Sequence, residues 1–382
     1  MKNTRTPKII INVVLAAVLV ITAVSFHRVL LYFTSQAVLM SAKTYLPGQG
    51  ITVPEFTSLV RDEERTSAVS EEATTQKAKD NNVSVSASPQ EDFTDTPGDI
   101  LKIIAERNKT ADKDKKDGSI KEKQYKQDGV TDSFGRVRVK NVNKTEIDIE
   151  KILGEKIDLS VKKDEPSVLI FHTHTTETYQ ILDRGFYETD FRTRSQSEAV
   201  NMVRVGKAIC AEIEKAGYGV IHDTVIHDHS YNGAYAHSRE AVEKILEENP
   251  SIQVVLDIHR DAIQLSDGTK IKPTAKIKGK KAAQIMIISG CQEEGNPITN
   301  LPDWKYNLTF AVHLQNKLEE LYEGITRPLY FCPRSYNMNV THCSLLVEVG
   351  SDANTLEEAV YTGKCIGVAL SEILKEYDEK NE

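Results

Sequence analysis

The chain has 382 residues, too many for one average domain, and 40% of them are apolar, enough to fill one good core. A formal net charge of -8 argues against a nucleic-acid binder, whose affinity rests on a basic surface. Five cysteines, an odd number without metal-site spacing, exclude a disulfide framework.

The first predicted element is a membrane helix. Ile9 to Phe26 is almost unbroken apolar sequence, and the pattern runs on to Phe33. About 18 to 20 such residues cross a bilayer. Lys2, Arg5 and Lys8 precede the run, so residues 1–8 are expected to be a cytoplasmic tail, with the remainder exported. A cleaved signal peptide is the alternative, although the run is long for one and no clear A-x-A site follows.

Residues 34–136 are expected to form a mostly disordered extracytoplasmic linker. Between Arg61 and Ser133 the only aromatics are Phe93 and Tyr125, too little apolar surface to offset chain entropy. Within it, Asp99 to Glu106 (DILKIIAE) reads as a transient amphipathic helix.

The globular part is placed at residues 137–382. Short apolar runs predict strands at Ser167–Phe171, Tyr218–His222, Gln253–Ile258, Gln284–Ser289, Leu329–Phe331 and Leu345–Val349. Helical spacing predicts Ser197–Ala216, Ser238–Glu248, Tyr306–Glu323 and Thr355–Tyr377. The alternation specifies an α/β fold, a mostly parallel twisted sheet with helices on both faces.

Ligands of such sheets bind beyond the carboxyl ends of the strands. That rule selects His172 and His174 after the first strand, and His259, Arg260 and Asp261 after QVVLDI. Glu348 lies between valines in CSLLVEVGSDAN, where an unpaired charge would cost several kcal/mol; it must meet a metal, a cation or a proton. Two imidazoles and carboxylates at one sheet edge suit zinc. The bland readings stand beside these. His222, His227, His229 and His237 read as surface or satisfied core histidines, and His313 falls in a helix. His342 precedes the last strand and could face the site. A bridge between Cys332 and Cys343 is conceivable, and Glu198 reads first as a helix-dipole carboxylate.

The order of the pieces, SEAVNMVRVGKAICAEIEKAGYGV, then DIHRDA, then LLVEVGSDAN, resembles the zinc-dependent N-acetylmuramoyl-L-alanine amidases. The stretch LIFHTHTTETY, with an N-terminal anchor and an acidic linker, resembles the stage II sporulation protein P family, related to those amidases. The resemblance implies Zn2+ bound by His172 or His174 with Glu198 and His259, and Glu348 as catalytic acid–base. It matches Asn354 to the closing asparagine and Arg239 to a structural arginine. Arg260 is a candidate for binding a substrate carboxylate or the oxyanion, and Glu177 for a hydrogen bond to a ligand histidine. The implied activity is hydrolysis of peptidoglycan during engulfment, at the N-acetylmuramoyl-L-alanine amide and at peptide cross-links. Peptidoglycan stem peptides, the sporulation transglycosylase (stage II protein D) and the membrane protein M are the implied partners. A different zinc peptidase of the wall, or a non-catalytic wall-binding protein on a degenerate amidase fold, are the alternatives.

Overall fold

The first secondary structure in the computed structural model, which describes residues 95–112, 115–163, 165–293 and 300–379, is helix α1 (Gly98–Thr110). Strands β1 (Gly118–Lys123), β2 (Asp132–Phe134) and β3 (Val137–Asn141) follow, then the short helix α2 (Ile149–Gly154). β4 (Pro166–Phe171), β5 (Phe186–Tyr187), α3 (Met202–Lys215), β6 (Gly219–His222), α4 (Ala234–Glu248) and β7 (Val254–Asp261) come next. The chain then forms β8 (Lys270–Ile277), β9 (Lys280–Ala283), β10 (Ile285–Gly290), α5 (Trp304–Leu321) and β11 (Leu329–Cys332), closing with β12 (Cys343–Ser351) and α6 (Leu356–Glu376). The apolar run Ile9–Phe33 lies outside the described residues. Among those described, no helix is long and apolar enough to cross a membrane.

Eight strands form the main sheet, in the order β2-β3-β11-β10-β12-β7-β4-β6. The pairs β10–β12 and β2–β3 are antiparallel and the other five are parallel, so the sheet is mixed but mostly parallel, as expected. Continuous apolar runs such as VLIF in β4 form its centre because strands covered on both faces need no alternation. One face is covered by α3, α5 and α6, which share the large core with Val168, Ile170, Leu256 and Val347. The other carries, among the described residues, only α4, whose Val242 packs on Leu169, Phe171 and Val255. Both faces are covered, but unequally.

Four strands were not anticipated as a group. β5, β1, β8 and β9 make a second, four-stranded sheet. Here the expected linker is corrected from residue 95 onward. α1 buries Ile100 and is tied down by Arg107–Glu188 (2.7 Å) and Arg204–Asp99 (3.0 Å). β1 pairs with β8, Ile120 opposite Lys270. Strand addition satisfies backbone groups and needs little side-chain burial, so a composition poor in apolar residues does not reveal it. Lys272 of β8 is 1% exposed and is held by Glu358 at 2.7 Å and Asp183 at 2.8 Å.

Helix ends follow local chemistry. α3 starts at Met202 rather than Ser197 because the Asn201 side chain accepts from the Val203 N–H. α6 begins with a capping box between Thr355 and Glu358. α3 and α6 approach closely because Gly363 and Gly367 present no side chain: a Cβ at Gly367 would stand 2.5 Å from the Ile209 carbonyl oxygen. Gly367→Ala is therefore expected to cost about 1–2 kcal/mol, overpacking outweighing the gain in helix propensity. In thermal unfolding it should lower Tm, whereas Gly154→Ala, with open space around it, should not.

Candidate active site

Glu348 of β12 lies directly beside His259 of β7 in the parallel ladder, so both side chains leave the sheet on one face. That is the face bearing α4. His174, just past the end of β4, brings its ring edge-on to His259, centroids 5.4 Å apart. Tyr235 of α4 stacks on His259 at 6.4 Å and meets His174 edge-on at 5.8 Å. Tyr231 lies flat on His174 at 4.9 Å while 64% exposed, so the imidazole has an aromatic cover open to solvent. Glu177 Oε2 is 4.0 Å from His259 Nδ1.

The electrostatics follow from burial and neighbours. Desolvation pushes Glu348 up to about 8, partly opposed by His259. Burial would depress His259, yet Asp257 and Glu177 raise it to about 9. Burial would likewise raise Asp257, which is held low by His259 and by Thr173, whose N–H and hydroxyl donate at 2.8 and 2.7 Å. Asp257 Oδ1 is 2.8 Å from His259 Nε2, though poorly aligned for a hydrogen bond. Burial lowers His174, and the charge of His259 lowers it further.

The two histidines of H-T-H separate sharply. His172 is fully buried; its Nδ1 donates to the Ile258 carbonyl (3.0 Å) and its Nε2 meets His222 Nε2 at 2.9 Å. With Nδ1 carrying the proton, His222 is the donor to His172, and both rings are neutral. There is no room beside them: a Cβ on Gly206 would come within 2.6 Å of His172 Nε2. His174 alone of the pair reaches the His259–Glu348 cluster.

Other expected residues lie as follows. Glu198 pairs with Lys207 at 2.9 Å, half-exposed, and its charge acts on His222; Glu177 is the carboxylate beside His174 and His259. Arg260 is buried and spends its guanidinium on backbone carbonyls, Nε on Thr178 (2.9 Å) and NH2 on Thr193 (3.0 Å), while its N–H donates to Glu177 (3.2 Å). It fixes the loop that carries Glu177. Asn354 closes the β12–α6 turn, accepting from Ser351 and donating to Pro273 and Glu358. Arg239 donates to Asn339 (2.7 Å) and pairs with Glu243. His342 stacks on Tyr306 and contacts Asp158, away from the cluster, and Cys332 and Cys343 are free and buried.

Several partners were not singled out from the sequence. In the H-D-H stretch His227 and Asp228 are buried while His229 is exposed: Asp228 accepts from Thr176 N–H (3.1 Å) and from Arg194, and His227 bonds Asp223 at 2.8 Å. Arg194 thereby stands between Glu177 (3.6 Å) and the Tyr231 ring (5.4 Å). Asp257 had a legible signal, since it precedes His259 by two residues and shares its face. Tyr231 and Arg194 had none, because both are brought in by loops.

Three buried atoms of the cluster have no hydrogen-bond partner: His174 Nδ1, His259 Nε2 and Glu348 Oε2. His259 Nε2 is turned to Asp257, but the His174 nitrogen, the Glu348 oxygen and His259 Nδ1, 4.0 Å from Glu177, are zinc donors by chemistry, so the residues fit such an ion. Among the described residues, no three His, Cys, Asp or Glu side chains stand already drawn around one point.

The His172–His222 pair has a consequence for acid stability. Burial holds His172 at about 3 and His222 at about 4, both below the ordinary imidazole value of 6.5. The unfolded chain therefore takes up protons below about pH 6.5 that the folded one refuses, so stability is full above that pH and is lost as pH falls toward 4. Denaturant unfolding at pH 7, 6 and 5 should show this decline, up to about 1.4 kcal/mol per pH unit for each ring. A flat profile would contradict a neutral pair.

The family profile described as Stage II sporulation protein P (SpoIIP) matches residues 53–371. The Stage II sporulation protein P of Bacillus subtilis (strain 168) is 28% identical over 230 residues, 57% of this chain and 53% of that protein. The chain thus matches about half the length of that curated relative. Among solved structures, the N-acetylmuramoyl-L-alanine amidase AmiC2 of Nostoc punctiforme is similar at 12% identity and TM-score 0.32, over 57% of this chain and 98% of its own. The CwlD amidase from Clostridioides difficile, solved with the GerS lipoprotein, is similar at 14% identity and TM-score 0.34, over 55% and 99%. Overlaps this low bear no inference. The profile match is different in kind, because it runs through the strands that carry His174, His259 and Glu348 and spans most of the sequence: the chain belongs to the stage II sporulation protein P family.

Proposed function

We propose that this chain is a peptidoglycan hydrolase of sporulation that cleaves amide bonds, N-acetylmuramoyl-L-alanine first and peptide cross-links second. The observation that carries it is Glu348, a carboxyl group with one oxygen out of solvent and unpartnered, beside His259 on the open face of the sheet. Membership of the family supplies the substrate class.

His174 and His259 would hold a zinc ion, with Glu177 as the nearest carboxylate; zinc there supplies Lewis acidity, polarising the amide carbonyl and lowering the pKa of water toward about 7. Glu348 takes the proton of the attacking water and returns it to the leaving nitrogen as the amide breaks. Its carboxyl group, pushed up to about 8 by burial, binds and releases that proton near neutral pH. Asp257 fixes the orientation of His259 from its other side, and Arg260 positions Glu177 by way of the backbone. Tyr231 and Tyr235 wall the two imidazoles and exclude water from them. The segment Ile9–Phe33 would anchor the chain in the cell membrane with the hydrolase outside, within reach of the stage II proteins D and M.

Glu348→Ala and His259→Ala should each reduce release of fragments from purified wall by at least about a hundredfold, with unchanged circular dichroism. Either variant keeping full activity would sink the mechanism. Chelation should abolish wall solubilisation and added zinc should restore it, with about one zinc per chain by elemental analysis. Mass spectrometry of the products distinguishes amidase from endopeptidase cuts.

A further inference from the structure

The open face of the sheet continues past Glu348 into a groove that the hydrolytic cluster does not use. Residues directly opposite one another in neighbouring strands share a face. By that register, His259, Glu348 and Met286 form one row across β7, β12 and β10. Leu346, Ile288, Tyr330 and Lys140 form the next row, across β12, β10, β11 and β3. Among the described residues no helix covers these rows: Met286, Tyr330 and Tyr336 are only partly buried and pack on a small apolar floor of Ile288, Cys332 and Leu346. A groove of about 470 Å³ lies over Met286 and Tyr330, walled by Tyr125 and Arg327 and reaching Lys140.

The charges of this groove are unequal in what they can bind. Arg327 is spent on Asp261 (2.8 Å), at the end of the strand that carries His259, and lies 5.0 Å over the Tyr125 ring. Lys123 is neutralised by Asp128 at 2.6 Å. Lys140 is exposed, packs only 5.5 Å over the Tyr330 ring, and has no carboxylate partner among the described residues. A free cation at the far end of an aromatic-walled groove, in a chain of net charge -8, selects an anion.

Distance identifies which anion. Glu348 and Lys140 stand on strands three steps apart, roughly 14 Å at the usual strand spacing. An extended peptide of four or five residues spans about 13–17 Å. We propose that this groove binds the peptidoglycan stem peptide lengthwise, with Lys140 pairing the free carboxylate at its far end while the amide to be cut lies at Glu348. This inference rests on the hydrolase reading above and adds to it a subsite that measures stem length and terminal charge.

The test uses the full chain carrying Glu348→Gln and synthetic N-acetylmuramoyl tetrapeptides with a free C-terminal carboxylate or a C-terminal amide, binding followed by calorimetry. The free acid should bind about tenfold tighter than the amide. Lys140→Glu should erase that preference, Lys140→Arg should keep it, and Lys109→Glu, an exposed lysine on α1, should leave it unchanged. Equal binding of acid and amide, an undiminished preference in Lys140→Glu, or no binding of either peptide would overturn the proposal. Wall solubilisation by the unsubstituted chain, and its loss in Glu348→Ala, is read separately. If that loss occurs without the acid preference, the subsite alone fails; if the preference exists without hydrolysis, the hydrolase reading fails.

Discussion

A carboxyl group and an imidazole set side by side on adjacent parallel strands govern the rest of this structure. Glu348 and His259 shift in opposite directions from their ordinary values: burial penalises the glutamate's charge, while Asp257 and Glu177 favour that of the histidine. Each would be costly alone in an apolar strand. The surrounding polar groups offset this locally, with Thr173 bound to Asp257 and the Arg260 N–H bound to Glu177. The loop after β4 is thereby fixed at both ends, and His174 is delivered to the cluster rather than to solvent.

The unequal covering of the sheet gives this arrangement its place. Three helices fill one face, where Gly363 and Gly367 let α6 settle against α3. Among the described residues only α4 occupies the other, so Glu348 faces a region closed on one side by Tyr235 and open on the other toward Met286 and Tyr330.

The segment ahead of the main sheet is part of the same body. Besides α3 and β8 it touches the 183–194 loop: Arg107 holds Glu188, which Arg184 of the loop also holds, and Lys115 holds Asp190. The same loop supplies the Thr193 carbonyl that holds Arg260 and the Arg194 that reaches Asp228 and Glu177. Residues 107 and 115 are thus one loop away from the cluster.

The sequence by itself determined the alternation of strands and helices, and it singled out the strand ends and, among them, His259 and Glu348, which the fold sets side by side. Those features are local: hydrophobic period, chain order and a charge in an apolar run are all visible in one dimension. It also specified the family, because H-T-H-T-T-E and the strand around Glu348 are short and ordered. Tertiary structure alone decided which histidine of the pair is available. His172 and His174 differ by two residues and not at all in type, yet the first is closed off by His222 and Gly206 and the second meets His259. It also decided that Glu177 rather than Glu198 stands by the imidazoles, and that a polar stretch from residue 95 folds. Loop closure and strand addition join residues far apart in the chain, and no periodicity records such contacts.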